Sequence, residues 1–258
     1  MKVDLSEQLV LVTGAGSGIG AGIAHFVALS GAQVAVNDLV PERAHETAAS
    51  LRQAGCRATA VPGHVATLPG AVGVVGAAIE ALGGLTGLVN NVGVLRPGAL
   101  VDLSEASWRE VMDVNVMSAF FCSQQAFPAL SKAGGSIVNM SSVVALTPPP
   151  GAGAYNASKA AVLGLTSHLA IEWGPNGIRA NAVLPGLVPG TRLTPNGGGP
   201  PDLQARRGAA LPLRRVGTPE DVAGVVAFFL SDLARYVTGQ WMAVDGGLAM
   251  AVQTMLPA

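Results

Sequence analysis

The chain has 258 residues, 50 % of them hydrophobic and only 12 % charged, with a formal net charge of -1. So small and balanced a charge excludes a nucleic-acid surface, because the densest basic stretches are just Arg206-Arg207 and Arg214-Arg215. No apolar run is long enough to span a bilayer and no amino-terminal h-region stands out, so a cytoplasmic chain without membrane attachment is expected.

Leu9-Val10-Leu11-Val12 is a short apolar run that ends in Thr13-Gly14-Ala15-Gly16-Ser17-Gly18-Ile19-Gly20, after which helical spacing resumes over 21–29. Strand, glycine turn and helix form the pattern that brings backbone N–H groups and a positive helix end to a pyrophosphate. Gln33 to Asn37 reads as the second strand, and Asp38 stands at its end, about 20 residues after the glycines, where a carboxylate can accept from a ribose diol. A helix follows over 41–54, with Pro41 tolerated in its first turn. A third strand covers 58–61, a third helix 68–82 and a fourth strand 85–89, which runs into Asn90-Asn91-Val92-Gly93.

Ser104 opens a long helix expected over 108–127, and Asn115 falls within it among Val111, Val114 and Val116. Asparagine competes with the backbone for hydrogen bonds, so an apolar helical stretch that carries one implies a buried polar task, in the core or at a site. Ser136 to Met140 is the fifth strand and leads to Ser141-Ser142; a sixth strand covers 179–184 and ends in Pro185-Gly186. The Pro- and Gly-rich stretch from 185 to 201 has no apolar period and reads as a loop, placed as a substrate lid at about 187–215. A helix over 219–230 and a strand over 241–244 complete the chain before an apolar tail. Alternating strands and helices predict a single-domain α/β fold of the Rossmann type, a doubly wound parallel sheet of about seven strands that binds ligands beyond its carboxyl edge.

Between the fifth and sixth strands lies Ala154-Tyr155-Asn156-Ala157-Ser158-Lys159, helical in pattern. Tyr155 and Lys159 are one turn apart and share a face. A phenol titrates near 10, and a neighbouring ammonium stabilises its phenolate, so the pair reads as an acid/base whose pKa the lysine lowers. The chain holds only two tyrosines, and its lysines are Lys2, Lys132 and Lys159, which makes a chance pairing less persuasive. Cys56 and Cys122 show no CxxC spacing and the four histidines no ligand spacing, so neither a disulfide nor a metal is expected.

Together Thr13-Gly14-x-x-x-Gly18-x-Gly20, Asn90-Asn91-Val92-Gly93, Asn115, Ser142, Tyr155-x-x-x-Lys159 and Pro185-Gly186 resemble the short-chain dehydrogenase/reductase family over essentially the whole chain. The resemblance implies a catalytic tetrad of Asn115, Ser142, Tyr155 and Lys159 and a nicotinamide cofactor, read as NAD. It implies that the cofactor is held by Gly14, Gly16, Ser17, Gly18 and Ile19, by Asp38 and Leu39, by His64 and Val65, and by Asn91 and Gly93. Tyr155, Lys159, Pro185, Gly186 and Val188 complete that set. His64-Val65 stand where the family usually has an adenine-binding Asp, Val92 replaces its Ala, and Thr191 is a candidate for the nicotinamide-binding threonine, one place late. A homotetramer is the family expectation, with the helices over 108–127 and 156–173 and the tail over 248–258 as contact surfaces.

Substrate contacts are expected from Val94, Val143, Val144 and Leu187, with Leu95, Leu146, Val188 and Leu193 nearby. An apolar lining favours a neutral secondary alcohol or ketone over a free acid or sugar phosphate. Arg96 and Arg192 are the cations that bear against this reading. The alternatives are a reductase of 3-oxoacyl groups on an acyl carrier protein, with Arg206, Arg207, Arg214 and Arg215 as the docking charges, and a non-catalytic dinucleotide-binding protein.

Overall fold

The computed structural model describes residues 3–191, 193 and 199–255, with backbone alone over 252–255. Seven strands, β1 Leu9–Val12, β2 Gln33–Val36, β3 Ala58–Ala60, β4 Gly87–Asn90, β5 Ser136–Met140, β6 Arg179–Pro185 and β7 Trp241–Val244, form one sheet in the order β3-β2-β1-β4-β5-β6-β7. Every pairing is parallel. Strands β4 and β5 are buried at every position, as expected where helices cover both faces of a sheet.

The helices are α1 Gly18–Leu29, α2 Pro41–Gln53, α3 Leu68–Leu82, α4 Glu105–Met112, α5 Ser118–Ala133, α6 Tyr155–Trp173, α7 Pro201–Ala210 and α8 Pro219–Leu230. Residues of α1, α2 and α8, among them Ile23, Val27, Leu51, Val226 and Phe229, pack on one face of the sheet. Residues of α3, α5 and α6, among them Val74, Cys122, Leu130 and Leu169, pack on the other. Complete burial of a Leu, Ile, Val or Phe side chain contributes about 1.5–3 kcal/mol, so these two layers supply the main driving force for the fold.

Two elements differ from the sequence reading. The helix expected over 108–127 is α4 and α5 joined by a π turn at Asp113–Met117, centred on Asn115. The lid segment contains α7, which a composition rich in Pro and Gly had concealed. Its local signals are Pro201 and Asp202 in the first turn and Arg207 in the last, a charge order that suits the helix dipole.

Candidate active site

Strand order reverses at β1, which pairs with β2 on one side and β4 on the other. The crevice beyond the carboxyl ends of β1 and β4 is therefore where a dinucleotide is expected. Gly14 and Gly18, with φ of 62° and 56°, turn the chain there through the left-handed region that glycine tolerates. A Cβ on Gly20 would lie 2.2 Å from the Gly14 carbonyl oxygen and 2.5 Å from Asn91 Nδ2. Asn91 in turn donates from Nδ2 to the carbonyl oxygens of Thr13 and Gly14, at 3.0 and 3.1 Å. Asn91 thus ties the glycine loop to the end of β4.

A cavity of about 460 Å³ occupies this crevice, lined by the loop and by Asp38, Leu39, His64, Val65, Gly93 and Val94 among others. Asp38 is buried, accepts from the N–H groups of Gly16 and Val40, and lies 3.8 Å from Arg43 Nη1. Gly16 permits that approach, since a Cβ there would be 2.6 Å from both Asp38 Oδ2 and Arg43 Cβ. The sequence reading named neither Arg43 nor its pairing. A glycine cradle too close for side chains, with a carboxylate at its rim, fits the pyrophosphate and ribose of a dinucleotide.

A second cavity, of about 330 Å³, adjoins the first and shares Ile19, Asn91, Leu95, Thr191 and Leu193 with it. Ser142, Tyr155 and Lys159 line it, together with Val144, Pro185, Gly186, Leu187 and Val188. These residues come from the carboxyl ends of β5 and β6 and from the first two turns of α6. The 155–159 spacing puts Lys159 Nζ 5.6 Å from the centroid of the Tyr155 ring. Lys159 is buried and donates to the Met140 carbonyl oxygen at 2.9 Å. Ser142 Oγ accepts from the N–H of Val144 at 3.4 Å, donates to the Pro185 carbonyl at 3.5 Å, and also bonds to the Tyr155 phenol.

Burial pushes the Tyr155 phenol up to about 12, against the smaller downward pull of its bond to Ser142. Burial also drives Lys159 down to about 8. This corrects the expectation that the ammonium would dominate and lower the phenol. Removal from water costs the phenolate more than the Ser142 bond returns, and Lys159 donates to the Met140 carbonyl. At neutral pH Tyr155 is a phenol, ready to donate, and Lys159 is predominantly charged.

Asn115 is buried, donates from Nδ2 to the Val94 carbonyl and to Ser158 Oγ, and accepts from the Val94 N–H at 2.7 Å. The π turn aims this amide between α6 and the segment after β4, a use to which such turns are often put. A Cβ on Gly93 would lie 3.3 Å from both Asn115 Oδ1 and Lys159 Nζ, so Gly93 lets the two approach. Ser142, Tyr155 and Lys159 thus share the smaller cavity, while Asn115 lines neither cavity and is tied to α6 through Ser158.

Of the expected substrate contacts, Val144 and Leu187 line the smaller cavity, and Val94 lines the larger. Val143 does not: it is buried against Ala182 and Leu184, because the helical turn after Ser142 points it into the sheet. Leu146 is exposed and lines neither cavity. Arg96 is tied to Glu110 at 2.9 Å and 2.5 Å. Arg192 lies outside the described residues, and Thr191 borders both cavities. Pro149 to Ala152, Gln204 and Arg207 line the smaller cavity without having been expected there.

A crevice shaped for a dinucleotide thus opens onto a chamber lined by Ser142, Tyr155 and Lys159, an arrangement that suits a dehydrogenase. A family model described as enoyl-(acyl carrier protein) reductase matches residues 14–249. The 2-(S)-hydroxypropyl-CoM dehydrogenase 3 of Xanthobacter autotrophicus is 40% identical over 252 residues, covering 96% of this chain and 99% of that protein. The cis-4-hydroxycyclohexanecarboxylate dehydrogenase of Sinomonas cyclohexanicum is 39% identical over 244 residues, 94% of this chain and 96% of that one. A crystal structure from Sinorhizobium meliloti 1021, assigned as a short-chain alcohol dehydrogenase, superposes with a TM-score of 0.89 at 40% identity and covers 96% of this chain and 98% of its own. The chain belongs to the short-chain dehydrogenase/reductase family and is an oxidoreductase of that family, whose dehydrogenases use nicotinamide cofactors. Among the described residues no helix is long and apolar enough to cross a membrane.

Proposed function

We propose that this protein is an NAD-dependent dehydrogenase that interconverts a secondary alcohol and a ketone. The observation that carries the reading is the junction of the two cavities, where Tyr155, Ser142 and Lys159 line an apolar chamber next to the glycine cradle. The similar dehydrogenases from Xanthobacter and Sinomonas, named for hydroxypropyl and hydroxycyclohexane substrates, support a carbinol substrate.

Gly14, Gly16, Ser17, Gly18 and Ile19 would hold the pyrophosphate, Asp38 the adenine ribose, and Gly93, Lys159, Pro185, Gly186 and Val188 the nicotinamide half. Bound there, a nicotinamide accepts or supplies the hydride. Tyr155 gives its phenolic proton to the carbonyl oxygen in reduction and, as phenolate, takes the hydroxyl proton in oxidation. Ser142, beside the Tyr155 phenol, donates to the same oxygen and steadies the charge that develops on it. Lys159 favours the phenolate as it forms, and Asn115 fixes α6 against the segment after β4 through Ser158 and Val94. The apolar walls exclude water and hold the body of the substrate.

Asp38 favours NAD, since a buried carboxylate repels a 2′-phosphate, although Arg43 beside it offsets part of that repulsion. The carrier-protein alternative asks for a free basic surface. Arg215 is instead bonded to both carboxylate oxygens of Asp221, and Arg214 to the Ala209 carbonyl. The test is formation of reduced cofactor from NAD with a panel of secondary alcohols, together with the reverse reaction on the matching ketones. No turnover with any pair would refute the reading, and a preference for NADP would refute the cofactor assignment.

A further inference from the structure

Helix α6 carries Tyr155 and Lys159 in its first two turns, yet little in its own sequence secures that end. Its N-cap is Ala154, which makes no side-chain cap bond, and its first turn holds no acidic residue. A helix start without these devices must take its position from tertiary ties. Two are present. On one side Asn115 donates to Ser158 Oγ, which donates in turn to the Tyr155 carbonyl at 2.7 Å. On the other, Ser141 Oγ donates to the Lys159 carbonyl oxygen at 2.8 Å. Ser141 is 4 % exposed, its own N–H is bonded to the Val183 carbonyl of β6, and it borders the smaller cavity. Resting on the proposed dehydrogenase activity, we propose that Ser141 is a positioning residue, whose hydroxyl fixes α6 against the end of β5 so that the Lys159 ammonium stays on the Met140 carbonyl beside the Tyr155 ring.

Three successive residues at the end of β5 then address the site. Met140 accepts from Lys159 Nζ at 2.9 Å, Ser141 holds the same lysine by its carbonyl, and Ser142 bonds to the Tyr155 phenol. Adjacent residues thus grip Lys159 at both ends. Its carbonyl lies inside α6, where the helix supplies a partner, and a carbonyl oxygen can accept twice. The bond from Ser141 is therefore not needed to pair a buried acceptor, and what it does is tie helix to sheet. Among the described residues few groups face Lys159: Tyr155 on its own helix, Asn115 from the π turn and Gly93 after β4, while the cavity lining adds Arg207 and no carboxylate. Burial rather than a counter-ion sets its pKa at about 8, and slack that admits water raises it.

The test compares the wild type with Ser141→Ala, Ser141→Thr and, as a control, Ser136→Ala, which removes another buried hydroxyl near β5, one that donates to the Phe229 carbonyl at 2.9 Å. Ser141→Ala should lower kcat by about 10- to 100-fold, the cost of a misplacement of about 1 Å, with little change in KM for the alcohol. Ser141→Thr keeps the donor and should recover most of the rate, whereas Ser136→Ala should lower the thermal midpoint and leave kcat alone. A readout that needs no turnover is the titration of Lys159, followed by NMR on protein carrying isotope-labelled lysine and assigned with Lys159→Met, since the other lysines are only Lys2 and Lys132. It should titrate near 8 in the wild type and in Ser136→Ala, and move toward 10.5 in Ser141→Ala. Full kcat in Ser141→Ala, an equal loss in Ser136→Ala, or a Thr variant as slow as the Ala variant would overturn this inference and leave the dehydrogenase reading intact. An unshifted Lys159 titration in Ser141→Ala would also overturn it. No turnover of any alcohol or ketone by the wild type, with the titration shifted in Ser141→Ala alone, would instead overturn the dehydrogenase reading.

Discussion

Replacing Lys159 with Met should make the protein inactive, and its effect on stability should change with pH. Lys159 is buried, and burial holds its pKa at about 8 in the folded chain against 10.5 as the ordinary value. The folded state therefore binds its proton less well than the unfolded state does, so keeping the lysine charged costs stability below pH 8. That cost is relieved as pH rises from about 8 to 10.5. A difference of this size is worth about 3 kcal/mol in full, and about 2–3 kcal/mol between pH 7 and pH 10. Methionine of similar length removes the charge and its pH dependence together with the bond to the Met140 carbonyl, a loss of about 1–3 kcal/mol that does not vary with pH. Near pH 7 the two losses nearly cancel, and the variant should be about as stable as the wild type. At pH 10 the wild type should lead by about 2–3 kcal/mol more than it does at pH 7. Cys122, pushed up to about 12 by burial, costs stability above its ordinary value, but it does so in both proteins and drops out of the difference; Tyr155, also held near 12, stays a phenol in the folded chain up to pH 10. Urea unfolding of both proteins at the two pH values measures it. A stability difference that does not move with pH would mean that Lys159 titrates normally, and the account of its burial would be wrong.

Other outcomes follow from the same geometry. Tyr155→Phe should keep the thermal midpoint within a few degrees and lower turnover by about 100- to 10,000-fold, the usual worth of general acid–base catalysis; retention of most activity in a turnover assay would refute the role. Because Tyr155 is a phenol at neutral pH, alcohol oxidation should climb between pH 7 and 10 while ketone reduction does not, and matching pH profiles for the two directions would count against it. Asp38→Ser should free Arg43 and raise the efficiency of NADP relative to NAD by about 10-fold or more, as compared by steady-state kinetics with both cofactors. Light scattering should show a tetramer, and Ile171→Glu, which charges a side chain 82% exposed on α6, should lower the assembly state if that helix forms a contact.

What the chain's one-dimensional pattern determines is the alternation of strands and helices and the place of the glycine loop. Those are local matters: apolar runs between turn signals for the strands, and glycines where only glycine accepts φ near 60°. The meeting of Tyr155 and Lys159 was legible too, because it needs only one helical turn, and so was a buried polar task for Asn115, which is conspicuous in an apolar helix. The π turn was not, since the bonds from Asn115 to Val94 and Ser158 that accompany it join distant segments. The phenol's pKa was read with the wrong sign for a similar reason, as one neighbour can be seen in a sequence but exclusion from water cannot. Asp38 could be placed by counting residues, whereas Arg43 beside it depends on how α2 leaves β2. Val143 and Val144 are equivalent as text, and only the turn after Ser142 sends one into the sheet and the other into the cavity. Arg207 is the clearest case: α7 carries it from a Pro- and Gly-rich stretch to the wall of a cavity built by β5, β6 and α6. Long-range packing sets that position, and packing is a property of the folded chain alone.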